Sequence, residues 1–203
     1  MAIHLAVAAE QRGMNTALFD LDPQASASSW SDKRNTPSPA VVSAQAARLP
    51  GLLKQAATQS ADLVIIDSAP NADSASLAAA SAADLILIPR RPAAFDLNAI
   101  GTTLNLAALA GKTAFDVLNA VPPLGKVGEE ARRALEDGGV QVAAPMLHHL
   151  VAFAHAVNDG RTAKELDSRS KAAAEIDALF AWVRKQATVH SALRANTKTR
   201  KQG

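Results

Sequence analysis

Short apolar runs of strand length alternate along this chain with Ala-rich stretches of helical length. The runs are Thr16-Ala17-Leu18-Phe19, Leu63-Val64-Ile65-Ile66, Leu85-Ile86-Leu87-Ile88 and Ala114-Phe115-Asp116-Val117-Leu118. Three of the four lack strict alternation, as strands covered on both faces do. The Ala-rich stretches fall near 45–59, 72–82 and 96–110. Strand-helix alternation of this kind predicts an α/β fold, a doubly wound and mostly parallel sheet flanked by helices, with right-handed crossovers. A helix opens the chain. Ile3, Ala6, Val7 and Glu10 stand at helical spacing, and Gly13 sits where a helix closes in the left-handed conformation. Val140-Gln141-Val142-Ala143 reads as a weaker strand, and helices are expected near 149–158 and 171–186. In the last of these, Ile176, Leu179, Phe180 and Val183 form a core-facing stripe rather than a membrane anchor. Asn35-Thr36-Pro37-Ser38-Pro39 reads as a surface loop within the domain.

At 203 residues and 48% hydrophobic content, the chain is long enough for one compact domain, expected over residues 1–186. Aromatic residues make up only 3%, with no Tyr, so the core must be built from Ala, Leu, Val and Ile. Cysteine is absent, which excludes disulfides and thiolate metal sites and fits a reducing compartment. No basic leader and no run of about 18 apolar residues is found, so the expected location is the cytoplasm, away from any membrane. The net charge of +2 is unevenly spread. Residues 1–183 carry 15 basic and 19 acidic side chains, whereas Arg184, Lys185, Arg194, Lys198, Arg200 and Lys201 are followed and separated by no acid. Residues 187–203 are therefore expected as a disordered basic tail, either contacting a polyanion or simply solubilising the terminus.

In open parallel sheets, ligands bind beyond the carboxyl ends of the strands. Three of the apolar runs end there in Asp or Asn: Asp20, Asp67 and Asn119. Any one such Asp is also a good helix N-cap. An Asp closing four apolar residues is the arrangement that aims one carboxylate at Mg²⁺ or its water shell. In Asp20-Leu21-Asp22-Pro23-Gln24, two carboxylates one residue apart leave the strand in different directions. One of them suits the metal shell and the other an attacking water, with Gln24 able to bond that water or a γ-phosphate.

These residues resemble the ParA-type partition ATPases of the deviant Walker A family, which also includes MinD-like proteins. Asp20-Leu21-Asp22-Pro23-Gln24-Ala25-Ser26-Ala27-Ser28-Ser29-Trp30 is similar to the family's switch I segment, and Ala61 to Pro70 to its Walker B strand. Ala82 to Pro89, Pro92 and Phe95-Asp96 resemble the next strand and loop, and Val117-Leu118-Asn119 the strand beside the base. The C-terminal helices match around Val151 to Ala156, Gly160-Arg161-Thr162, Glu165 and Lys171 to Ile176. The resemblance implies a P-loop NTPase-like fold that binds ATP and Mg²⁺. Asp22, Asp20 and Gln24 would be catalytic, and Asp67 with Asp20 would serve Mg²⁺ through water. Asn119 would contact adenine, with Pro89 and Pro92 bordering the base or a dimer interface. It further implies DNA segregation by a homodimer that binds nonspecific DNA and answers to a ParB-like partner.

The same family begins with a strand and a Gly-rich loop ending Gly-Lys-[Ser/Thr], which cradles phosphates at a helix N-terminus. Met1 falls about two residues beyond that point, so this reading is of an N-terminally truncated form. The missing strand would be central, leaving ladder groups exposed. Gly111-Lys112-Thr113 is no substitute, because Leu106 stands where G-x-x-x-x-G-K-[ST] needs Gly and a strand follows rather than precedes it. Impaired ATP binding is therefore expected, and a DNA-binding or regulatory module without the ATP switch is the alternative. His148-His149 replaces an Arg-containing segment and reads as a surface pair at a helix entry, or as metal ligands. Arg90-Arg91 reads equally as a solvated pair or as a phosphate or protomer contact.

Overall fold

The computed structural model describes residues 1–69, 74–92 and 107–200, with side chains placed up to residue 189. Helix α1 (Ala2–Glu10) opens the chain and closes at Gly13, whose φ of 76° fits the left-handed stop expected from sequence. Then follow β1 (Thr16–Asp20), α2 (Ser26–Ser31) and β2 (Ala40–Ser43). A 3₁₀ turn (Ala46–Arg48) leads into α3 (Leu49–Thr58), followed by β3 (Leu63–Asp67), α4 (Ser74–Ala82) and β4 (Ile86–Arg90). After β5 (Ala114–Leu118) the chain is helical: α5 (Val127–Asp137), α6 (Val151–Asn158), α7 (Ala163–Leu166) and α8 (Lys171–Arg200).

All described strand pairs are parallel, in the order β2-β1-β3 and, separately, β4-β5. Helices cover both faces. Leu5, Ala8 and Ala9 of α1 and Ile176, Leu179 and Phe180 of α8 form a buried cluster that takes in Leu63, Ile65, Leu87 and Val117 from β3, β4 and β5. On the opposite face, Phe19, Val64 and Ile66 pack against Leu49, Leu52 and Ala56 of α3 and Ala79 of α4. Both parts of the sheet thus rest on the same helix pair. Among the described residues, β3 pairs only with β1 and β4 only with β5, and both strands are half-buried where β1 is fully buried. Among the described residues the sheet is thus interrupted between β3 and β4. Pro89 occupies this edge of β4. The Ile86 amide and the Arg90 carbonyl face β5, so by alternation the missing Pro89 N–H points away from the ladder, where it leaves no gap.

Sequence and structure differ in three places. β2 is not legible in the sequence, because Val41 and Val42 alone make too short an apolar run after Pro39. The expected strand 140–143 is a single bridge from Val142 to Asp116: Arg132 of α5 takes the Ala143 and Ala144 carbonyls at 2.9 and 2.8 Å, and Pro145 follows. The Ala-rich stretch 96–110 lies mostly outside the described residues. The helix expected to end near 186, with a disordered tail after it, continues to Arg200, as no Gly or Pro interrupts it. The apolar stripe faces the core as expected, with Ile176, Leu179 and Phe180 buried and Val183 packed beside them.

Candidate functional site

The register of β1 against β3 sets Asp20 directly beside Asp67 at the carboxyl ends of the two strands, with Ser43 of β2 on the other side of Asp20. Asp20 is only 1% exposed. Its Oδ2 accepts the amides of Ala27 and Ser28, each at 3.0 Å, and the Ser28 hydroxyl at 3.3 Å; its Oδ1 accepts the Asp22 amide at 3.2 Å. Asp20 therefore caps α2 from the strand, supplying negative charge to a helix start whose own N-cap, Ala25, is left-handed with φ 49° and has no side chain able to cap. This is the N-cap reading of the residue. It does not preclude a water-mediated role toward a metal, but it commits both oxygens to the loop that carries Asp22.

Asp22 is half-buried, and its Oδ1 accepts the Gln24 amide at 2.9 Å while its carbonyl accepts the Ala25 amide at 2.8 Å. That Asx turn projects the exposed Gln24 from the same end of the sheet. Asp67 is half-buried and no hydrogen bond holds its side chain among the described residues. Burial pushes its carboxyl above the usual range, the Met1 amino group opposes this, and the charges of Asp20 and Asp22 add to it. No three His, Cys, Asp or Glu side chains among the described residues are grouped to hold a metal ion by themselves. Asp67 and the second oxygen of Asp22 nonetheless fit Mg²⁺, which takes one or two carboxylates and keeps water or phosphate in its other positions. The phosphates fit less well, since no Gly-rich loop is present in these residues.

Asn119 follows β5, half-buried, with its amide donating to the Arg90 carbonyl at 2.8 Å. Pro89 is exposed on β4, in register with Val117, and Pro92 is buried just beyond the strand. Arg90 is not the solvated residue that sequence allowed. It ion-pairs with Asp116, which is 0% exposed, through Nε to Oδ2 and through Nη2 to Oδ1 at 3.4 Å. Arg91 is exposed. His148 also departs from a free surface pair. Glu175 of α8 accepts its backbone amide at 2.9 Å and faces its Nδ1 at 2.6 Å, while His149 is exposed. Neither His belongs to a metal cluster among the described residues.

A set of contacts not read from sequence anchors the far end of α2. Trp30, 1% exposed, donates its indole N–H to the Arg161 carbonyl at 3.0 Å. Arg34 stacks on the Trp30 ring at 4.4 Å and donates to Glu165 at 2.9 and 3.1 Å, to the Gly160 carbonyl at 2.9 Å and to the Ser38 carbonyl. Glu165 in turn closes a capping box with Thr162. Burial works against the Glu165 carboxylate, but the bonds from Arg34 and Thr162 outweigh it and hold its carboxyl below the usual range. Trp30 and Glu165 belong to the segments that carry the resemblance, but nothing in their spacing pairs them across 135 positions. Of the basic residues expected to meet DNA, Arg184 and Lys185 are exposed on α8; the side chains of Arg194, Lys198 and Arg200, and all of Lys201, lie outside the described residues.

Comparison with known proteins agrees with this fold. Residues 1–163 match the CobQ/CobB/MinD/ParA nucleotide binding domain family. The chain is 33% identical over 177 residues to the maintenance of carboxysome distribution protein A of Gloeobacter kilaueensis, covering 85% of this chain and 79% of that protein. Among solved structures, apo McdA of Cyanthece superposes with a TM-score of 0.71 at 18% identity, over 92% of this chain and 93% of the other. The septum site-determining protein MinD of Pyrococcus horikoshii, solved with Mg-ADP, superposes with a TM-score of 0.68 at 15% identity, over 93% and 91%. The chain belongs to the CobQ/CobB/MinD/ParA family of nucleotide-binding domains.

Proposed function

We propose that this chain is a ParA-like, nucleotide-dependent switch for DNA segregation, with Asp67 and Asp22 serving Mg²⁺ through its water shell. The observation that carries this reading is the β1–β3 register, which sets Asp20 beside Asp67 with Asp22 two residues on. Phosphoryl transfer in such a site draws charge neutralisation from Mg²⁺. Asp20 holds the 22–28 turn against α2, Asp22 keeps one oxygen for a water, and Gln24 stands ready to bond that water or a phosphate oxygen. Asn119, with Pro89 and Pro92 nearby in the β4–β5 part of the sheet, would border the adenine. ATP affinity is expected to be impaired, because preorganised donors to the β- and γ-phosphates are not among these residues. In this reading the active unit is a homodimer on nonspecific DNA, reset by a ParB-like partner. The relative named for carboxysome distribution supports a cargo-positioning role in the wider sense.

Mn²⁺, as a paramagnetic stand-in for Mg²⁺, tests the site when added with ATP to the isotopically labelled chain. Broadening confined to residues 20–24 and 67–69, and lost in Asp67→Asn, is expected; broadening that ignores that substitution overturns the assignment. Titration calorimetry showing micromolar Mg-ATP binding would contradict the impaired affinity. A second reading, a DNA-binding module without the switch, is favoured by one observation: both oxygens of Asp20 already accept hydrogen bonds, Oδ1 from the Asp22 amide and Oδ2 from the start of α2. DNA affinity that is indifferent to Mg-ATP decides for it.

A further inference from the structure

A cavity of about 290 Å³ opens between the end of α1 and the middle of α8, lined by Arg12, Phe180, Ala181, Arg184, Lys185 and Thr188. Arg12 is far from the other five in sequence and is not among the residues expected to meet DNA. Its guanidinium lies over the Phe180 ring at 4.9 Å, donates to the Ala8 carbonyl at 2.8 Å and pairs with Asp177 at 2.8 Å. These contacts fix the guanidinium plane while using only part of its five N–H groups. Asp177 is the acid facing this site. It is shared with Lys164, whose Nζ lies 2.7 Å away, so its single charge is divided between two cations. Arg184 and Lys185 are exposed and make no described ion pair. The Thr188 hydroxyl is spent on the Arg184 carbonyl at 3.0 Å.

We propose that this cleft is a phosphodiester subsite, in which Arg12 joins Arg184 and Lys185 to seat a nucleic-acid backbone at the start of a track along α8. The proposal rests on the DNA-binding part of the function proposed above and adds the point of engagement on the folded body. The course of α8 beyond the cleft favours an extended polyanion over a lone phosphate. No acid occurs after Asp177, and α8 continues as helix from Arg184 to Arg200. Those 16 further residues extend about 24 Å, enough to follow several phosphates of one strand. The cleft lies at the Glu10 end of α1, whereas Asp67 interacts with the Met1 amino group at the other end.

Anisotropy of a labelled 20-base-pair duplex, titrated between 50 and 200 mM salt, tests this on the full chain. Arg12→Gln should weaken binding about three- to tenfold at 100 mM salt and lower the salt slope by about 1, and Arg184→Gln/Lys185→Gln should lower it by about 2. Arg12→Lys should keep most of the affinity. Arg12 also ties α1 to α8, so thermal unfolding of Arg12→Gln accompanies the titration, and the exposed Arg184/Lys185 pair supplies the variant that leaves the fold alone. If Arg194, Lys198, Arg200 and Lys201 all changed to Gln abolish binding while the cleft variants bind as wild type, DNA binding stands and the subsite fails. No binding by the wild-type chain overturns both. Displacement by inorganic phosphate beyond the effect of chloride at equal ionic strength marks a small-anion site and also overturns the proposal.

Discussion

Asp116→Asn removes one half of the ion pair made by Arg90, whose carbonyl accepts the amide of Asn119, the expected base-contact residue. Asp116 is 0% exposed and Arg90 is 10% exposed at its side chain, so little water is available to screen the charge that would be left. Breaking a buried pair by removing one partner costs about 3–5 kcal/mol, whereas replacing both partners by apolar groups is often neutral. The backbone bonds of Asp116, from its N–H to the Gln141 carbonyl and from the Ala143 N–H to its own carbonyl, both 2.8 Å, survive the substitution. The loss therefore belongs to the side chain. For a domain of this size, about 3–5 kcal/mol corresponds to roughly 6–20 °C in Tm, a large share of the usual total stability. Urea unfolding followed by circular dichroism should show that loss in Asp116→Asn and in Arg90→Met, and near wild-type stability in Arg90→Met/Asp116→Leu. A single-mutant cost below about 1 kcal/mol, or a double mutant as unstable as the sum of the singles, refutes the buried-pair argument. Because the Arg90 carbonyl also holds the Asn119 amide, the single variants should shift the Asn119 amide resonance as well.

His4 and Gly160 give two further tests. Burial, chiefly, lowers the His4 pKa from 6.5 to about 3, the Met1 amino group adding to this and Glu165 opposing it. The folded state therefore holds the ring neutral; its contribution is complete above the unfolded pKa and is lost as pH falls through 6.5 toward 3. Between pH 7 and pH 5 this amounts to about 2 kcal/mol. His4→Phe, which keeps the edge-on contact with Phe153, should flatten the fall in urea midpoint over that range, and an unchanged fall would refute the assignment. Gly160 has φ 67°, and a Cβ there would lie 2.6 Å from the Lys33 carbonyl. Gly160→Ala should cost at least about 2 kcal/mol by left-handed strain and backbone displacement, measured by thermal unfolding; wild-type stability would show that α2 and the α6–α7 corner do not pack this closely.

Much of the fold and the outline of the site can be read along the chain. Four apolar runs, three of them without strict alternation, specify buried parallel strands, since a strand covered on both faces has no polar side to show. The residues that close two of them, Asp20 and Asp67, are legible because ligand sites in this architecture collect at strand ends. What the chain order cannot state is which strands are neighbours. Asp20 stands beside Asp67 only because β1 lies between β2 and β3 in the sheet, and the interruption between β3 and β4 among the described residues is likewise a property of pairing.

Side-chain partnership lies still further from sequence. The same acidic type closes β1 and β3, yet the packing of α2 spends the oxygens of Asp20 on amides and leaves those of Asp67 without a hydrogen bond among the described residues. Arg90 reads in sequence equally as a solvated residue or as a phosphate or protomer contact, but the depth of β5 makes it the counter-ion of Asp116. Arg12, unremarkable at the end of a helix, meets Arg184 because α1 and α8 share one apolar seam through Ala8, Ile176 and Phe180. Local propensity and periodicity, which act over a few residues, thus fixed the elements and the residue types at their ends. Burial, register and charge pairing, which act between residues far apart in the chain, decided which of those residues were left free to meet a ligand.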